Sequence, residues 1–155
     1  MLSVYSLLHV LSVVVWVGGM FFAYNFLRPA AGEVLEPPQK LSLWVSVFRR
    51  FFFFVWISVV LLPVTGYLMV FEIWGGFDIA PLYVHIMNGL GILMILIYMH
   101  VFFAPYKRLK LAVSEQRWPD GGKAIAQIRL LVGTNTAIGI IIIVVASGGR
   151  FFGTF

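Results

Sequence analysis

The chain has 155 residues, of which 61% are hydrophobic and 11% charged, against roughly 25% charged in an ordinary soluble domain. That balance excludes a soluble globule and points to an integral membrane protein. The absence of cysteine removes disulfides, iron–sulfur clusters and thiolate metal sites, leaving histidine, methionine and carboxylates as metal ligands. The net charge of +5 lies in the links between apolar runs, where membrane topology puts it, so it reads as orientation and not as a nucleic-acid footprint.

Four apolar runs approach the ~20 residues of a bilayer-spanning helix, at about Val4–Leu27, Phe51–Phe71, Pro81–Ala104 and Leu130–Gly148. The first lacks a basic n-region and has further spans behind it, so a retained helix is expected and not a cleaved signal peptide. Arg28-Pro29 is expected to stop that helix, and Glu36-Pro37-Pro38 to turn the chain. Leu41, Trp44, Val45 and Phe48 then recur at helical spacing, which predicts a short amphipathic helix over about 40–49 in the headgroup region. The second link carries Glu72, Asp78, Trp74 and Gly75-Gly76, as in a short interfacial turn. In the third, helix is expected to about Trp118, a break at Pro119-Asp120-Gly121-Gly122, and a restart from Lys123.

Arg28, Lys40, Arg49 and Arg50 in the first link join Lys107, Arg108, Lys110, Arg117, Lys123 and Arg129 in the third on one side, against Arg150 alone on the other. The positive-inside rule then turns both termini away from the cytoplasm. The expected fold is all-α: one domain, residues 1–155, forming a four-transmembrane-helix bundle in a bacterial inner membrane with its termini on the periplasmic side.

Three histidines fall in or beside these spans. An ionisable ring in hydrocarbon is costly, so it is expected to face other helices or a cofactor. His9 and His85 lie about five and four residues into their spans, within roughly 6–8 Å of the outer boundary, where they can face one another. His100 is about 22 Å deeper than His85, too far to join them, and is an interfacial residue or a minor ligand candidate. Steps of seven and eleven residues bring Trp16 and Met20 onto the His9 face of an ideal helix. Two imidazoles at one depth on separate helices can hold haem b. Gly18, Gly19, Gly89 and Gly91 would give a macrocycle room, or pack helix on helix. Asn88, one turn past His85, could hold an imidazole N–H or a substrate group, or act as interhelical glue. Methionine is more often gap filler than ligand, although Met20 and Met87 are candidates for copper(I). Arg28, Arg49 and Arg129 suit lipid phosphates. Asn135, inside the fourth span, needs a partner there.

His9-x6-Trp16-x-Gly18-Gly19 followed by Arg28-Pro29 resembles the opening of the copper-resistance D (CopD) membrane proteins and of the related HemJ-type protoporphyrinogen oxidases. The likeness continues through Thr65-Gly66, the His85 to His100-x4-Pro105 segment and Arg129-x5-Asn135-x3-Gly139, covering nearly the whole chain. The HemJ resemblance implies haem b on His9 and oxidation of protoporphyrinogen IX. That family carries a lysine just after its third-helix histidine, and Ile86-Met87-Asn88 has none. The CopD resemblance implies copper handling, without the long periplasmic copper-binding segments.

The expectation is a small b-type cytochrome, with haem b between His9 and His85 and with Trp16, Gly19 and Asn88 around it. Electrons would pass to or from a quinone or a redox partner protein. The alternatives are a copper carrier on the same histidines with Met20 or Met87, a protoporphyrinogen oxidase, and a cofactor-free subunit of a larger membrane complex. A homodimer is reasonable from the glycine-rich third span. No nucleophile–base pair, phosphate loop or carboxylate dyad supports hydrolytic or phosphoryl-transfer chemistry.

Overall fold

The computed structural model describes residues 1–152, with side chains through residue 149, so Arg150 lies outside the described side chains. Four helices are long and apolar enough to cross a membrane. We number the helices α1 (Leu2–Val34), α2 (Pro37–Trp74), α3 (Leu82–Phe103), α4 (Pro105–Ser114) and α5 (Trp118–Phe152). A 3₁₀ turn, Phe77–Ile79, connects α2 to α3. The expected all-α four-helix bundle is what the chain forms. Phe53, Phe54, Leu96, Phe103, Leu130 and Val144 are among its many exposed large apolar side chains. In water such a coat would be a liability, whereas against lipid tails it costs nothing.

Helix α1 is not an ideal helix. Two π-helical turns, Val14–Gly18 and Ala23–Leu27, interrupt it. The second leads directly into Arg28-Pro29, and the chain runs on as helix to Val34. Pro29 therefore does not stop the helix: it sits in the first turn after a register change, where its missing N–H is least costly. The capping box of Glu36 with Gln39 starts α2, and Pro37-Pro38 occupies the first turn, where proline is tolerated.

In place of a separate amphipathic helix over about 40–49, α2 runs unbroken for 38 residues. At 1.5 Å per residue that is about 57 Å, far beyond the ~30 Å of a hydrocarbon core. Leu41, Trp44 and Phe48 are buried with Tyr106, Leu109, Ala124 and Ile128 of α4 and α5. The 3.6-residue period was a true signal, but its apolar face is covered by protein.

The third link also differs from expectation. The chain breaks at Ala104, and α4 ends before a tight turn in which Gln116 has φ 56°. Helix resumes at Trp118, so Pro119-Asp120-Gly121-Gly122 is the opening turn of α5 and not a break. Proline and an acidic residue are both favoured in a first turn. Arg117 ties the corner together through Glu115 (2.6 Å) and Asp120 (2.5 Å).

Helix α1 packs along α2, and α5 packs along α3 and α4. The backbones of α2 and α3 do not approach closely, and what fills their seam changes along its length. Toward the basic end it is bridged by aromatic rings: Phe52 meets Tyr98 at 5.3 Å and Tyr106 at 4.9 Å, and Trp56 meets Tyr98 and Phe102 at 5.3 Å each. Toward the end that holds the α2–α3 link, the seam is hollow.

Candidate functional site

The hollow is a chamber of about 230 Å³, walled by α1, α2, α3 and one side of α5. Phe77 of the 3₁₀ turn borders it at the link end, packed edge-on against Tyr67 at 5.3 Å. Its lining is almost wholly apolar, and His9 and Asn88 are the prominent polar exceptions.

His9 is oriented from α2. Its Nδ1 lies 2.9 Å from Thr65 Oγ1, and the Thr65 hydroxyl lies 2.6 Å from the Leu61 carbonyl one turn back. A carbonyl can only accept, so the hydroxyl proton is committed to Leu61 and the Thr65 oxygen receives its hydrogen bond from His9. The tautomer follows: Nδ1 carries the proton, and Nε2 keeps a free lone pair. Gly66 lets this contact form, because a Cβ there would stand 3.3 Å from His9 Cε1. Pro63, three residues earlier and also on the chamber wall, denies the Val59 carbonyl its usual i+4 partner and loosens α2 at this level. Thr65 is itself buried. One ring nitrogen is thus held by a hydrogen bond and the other has no partner, an arrangement that metal-ligating histidines share.

Three thioethers share the chamber wall: Met69 from α2, and Met87 and Met94 from α3. Met94 is fully buried, with its methyl end close to Gly139. Met69 and Met87 are half-buried. Asn88 accepts a hydrogen bond from the Tyr67 hydroxyl (3.0 Å), which links α3 to α2 near the link end.

The residues singled out from sequence divide into three groups. His9, Trp16, Met87 and Asn88 line this chamber. Met20 and Gly19 line a second chamber further along α1, with Trp16 on both walls. Eleven residues along α1 set Met20 about 16 Å from the level of His9, and the π turn at Val14–Gly18 between them takes more residues per turn than an α-helix. Gly19 serves helix packing, since a Cβ there would strike the Phe51 ring, whereas Gly18, Gly89 and Gly91 face open space.

His85 and His100 are exposed, and neither lines a chamber. Val84, Met87, Asn88 and Gly91 form the inward stripe of α3, at i, i+3, i+4 and i+7. His85 stands about 100° round from Val84, with its ring on Phe77 at 6.0 Å. Matching depth was legible from the spacing; matching azimuth was not. Among the described residues no group of three or more His, Cys, Asp or Glu side chains could hold a metal.

Sequence reasoning placed Thr65 only within a motif and missed it as the partner of His9. The signal was present: five residues into the first span and six before the end of the antiparallel second are equal depths.

A family model described as copper resistance protein D (CopD) matches residues 45–148. That stretch takes in Thr65, Met69, Met87, Asn88 and Asn135, and begins after His9 and Trp16. No curated protein matches the chain, and no solved structure does.

Proposed function

Since the chain belongs to the copper resistance protein D (CopD) family, with more than half of its length matched, we propose that this multi-pass membrane protein takes up copper(I) as cargo in the His9 chamber. The donors are His9 Nε2 and the thioethers of Met69 and Met87. The observation that carries the reading is the commitment of His9 Nδ1 to Thr65, which leaves Nε2 as the unbonded ring nitrogen on a chamber otherwise furnished with sulfur.

Charge and softness support the monovalent ion. Thioether and imidazole are neutral donors and thioether is soft, a set that suits copper(I). The chamber has no carboxylate or thiolate in its lining to offset a dication. The cost of desolvating an ion rises with the square of its charge, so copper(II) and zinc are disfavoured there. A haem iron gripped by His9 and His85 needs both rings on one chamber, and His85 faces elsewhere; copper is the better-supported reading. The ten basic residues at the far end put that end in the cytoplasm by the positive-inside rule. The chamber then lies near the outer face of an inner membrane.

Competition with a copper(I) chelator on detergent-purified protein tests this. One copper(I) per chain is expected, with affinity at least about tenfold weaker in His9→Ala. Absence of copper(I) binding overturns the proposal. So does a purified protein with a Soret band that sharpens on dithionite reduction and is lost in His9→Ala, which would restore the haem reading.

A further inference from the structure

Polar groups within the spans mostly satisfy themselves. Ser12, Ser58, Thr65 and Thr136 each bond the carbonyl four residues back, as hydroxyls in apolar helices do. Asn135 does not. Its amide nitrogen donates to the Met94 carbonyl at 3.3 Å, across the α5–α3 contact, which fixes its flip, since a carbonyl can only accept. Its Oδ1 is then the single buried side-chain acceptor without a partner among the described residues, in a residue only 2% exposed. In a bilayer such an orphan costs several kcal/mol, and each one calls for an explanation.

Asn135 lines the second chamber, a space of about 200 Å³ between α1, α2, α3 and α5. Its walls are aromatic and aliphatic, Trp16, Phe48, Phe51, Phe52 and Tyr98 foremost. The Tyr98 hydroxyl donates to the Phe52 carbonyl (3.2 Å) and so is not a donor to Asn135. A buried water needs two to four polar partners, and besides Asn135 Oδ1 only the Trp16 indole N–H and the already bonded Tyr98 hydroxyl stand on this wall. An apolar cavity of roughly 150 Å³ already admits a benzene ring. Phe22, mostly exposed, also borders the chamber, so the space lies just beneath the lipid-facing surface between α1 and α2.

We propose that the second chamber is a binding site for a single-ring aromatic alcohol dissolved in the membrane, a phenol or the hydroxyl-bearing ring of a hydroquinone, whose O–H donates to Asn135 Oδ1. The ring replaces empty space with contacts to the aromatic walls, and the hydroxyl satisfies the one buried side-chain acceptor left open among the described residues. The site is separate from the His9 chamber, Trp16 forming part of the wall of each, and its occupancy needs no metal.

The test is ¹⁹F NMR titration of the full chain in detergent, metal-free, with 4-fluorophenol and 4-fluorotoluene. Both are expected to bind. Asn135→Leu removes the acceptor at nearly constant volume and is expected to lower the phenol-to-toluene affinity ratio about tenfold, the value of one well-made hydrogen bond in an apolar site. Ala23→Leu fills the chamber from α1 without touching the acceptor and is expected to abolish both. An unchanged ratio in Asn135→Leu would mean that water alone satisfies Oδ1 and overturns the proposal. Failure of the native chain to bind either probe, or undiminished binding in Ala23→Leu, overturns it equally, and the second variant decides the matter if the first does not fold.

Discussion

The seam between α2 and α3 is built twice over, once solid and once hollow. On the solid side Phe52, Trp56, Tyr98 and Phe102 span the gap with rings 4.9–6.1 Å from their neighbours. On the hollow side the facing positions are Pro63, Gly66 and Val70 against Met87, Gly91 and Ile95. Neither stretch brings the two backbones together. Side-chain volume decides where rings bridge the seam and where it stands open; the second chamber lies behind the bridging rings, toward α1 and α5, and the His9 imidazole lines the open half. One half holds the helices apart at a fixed distance; the other uses that distance.

The largest effect should come from excavating the solid half. Phe52 is buried against Phe48, Phe51, Tyr98, Phe102 and Tyr106, so Phe52→Ala is expected to cost about 3–5 kcal/mol, as buried phenylalanine truncations do. SDS-unfolding titrations in mixed micelles would show it. A cost below about 1 kcal/mol would mean that the ring stack is not what separates the helices.

Next comes the polar anchor of the hollow half. Thr65→Val keeps the shape of the side chain but removes the acceptor for His9 Nδ1, freeing the ring to turn and to change tautomer. Loss of the hydrogen-bond partner of a metal-binding imidazole lowers metal affinity about 10–100-fold, and Thr65→Ser should restore most of it. Equal copper(I) affinity in all three proteins would separate His9 orientation from binding. Gly91→Leu then fills the hollow from α3, where a Cβ meets nothing within 4 Å. Helix propensity favours the change by up to about 1 kcal/mol, so stability should hold or rise while copper(I) binding falls about tenfold. Filling one half and emptying the other should thus have opposite signs on stability.

Much of this was legible in the residues. Hydrocarbon-length apolar runs forced four helices, because lipid leaves a backbone no other way to satisfy itself. His9 stood out because a titratable ring in such a run needs a reason to be there. What failed were inferences about angle. The placement of Met20 on the His9 face assumed 100° per residue through a stretch that contains a π turn, and the pairing of His9 with His85 used depth without asking which face of α3 turns inward. Pro29 and Pro119 were read as breaks because proline lacks a donor, yet Pro119 stands in a first turn where no donor is required, and Pro29 follows a π turn in a helix that runs on to Val34. The amphipathic period of residues 40–49 was real, but period cannot say whether lipid headgroups or another helix covers the face. The orphaned Asn135 acceptor could not be foreseen either, since its state depends on a carbonyl 41 residues away.

The smallest expected effect lies at the link end of the hollow half, where the exposed Tyr67 donates to the half-buried Asn88. Tyr67→Phe keeps the ring on Phe77 and removes only the hydroxyl. An exposed hydrogen bond is largely replaced by water, so the loss should be about 0.5 kcal/mol or less. Asn88, released, can turn its amide into the chamber, and copper(I) affinity should change by less than about twofold if the donors are His9 and sulfur alone. A larger drop in Tyr67→Phe, reproduced in Asn88→Ala, would show that the amide oxygen takes part in holding the ion. The set of donors in the hollow half would then reach from the depth of His9 up to the link, and the Tyr67–Asn88 bond would be the contact that positions its outermost member.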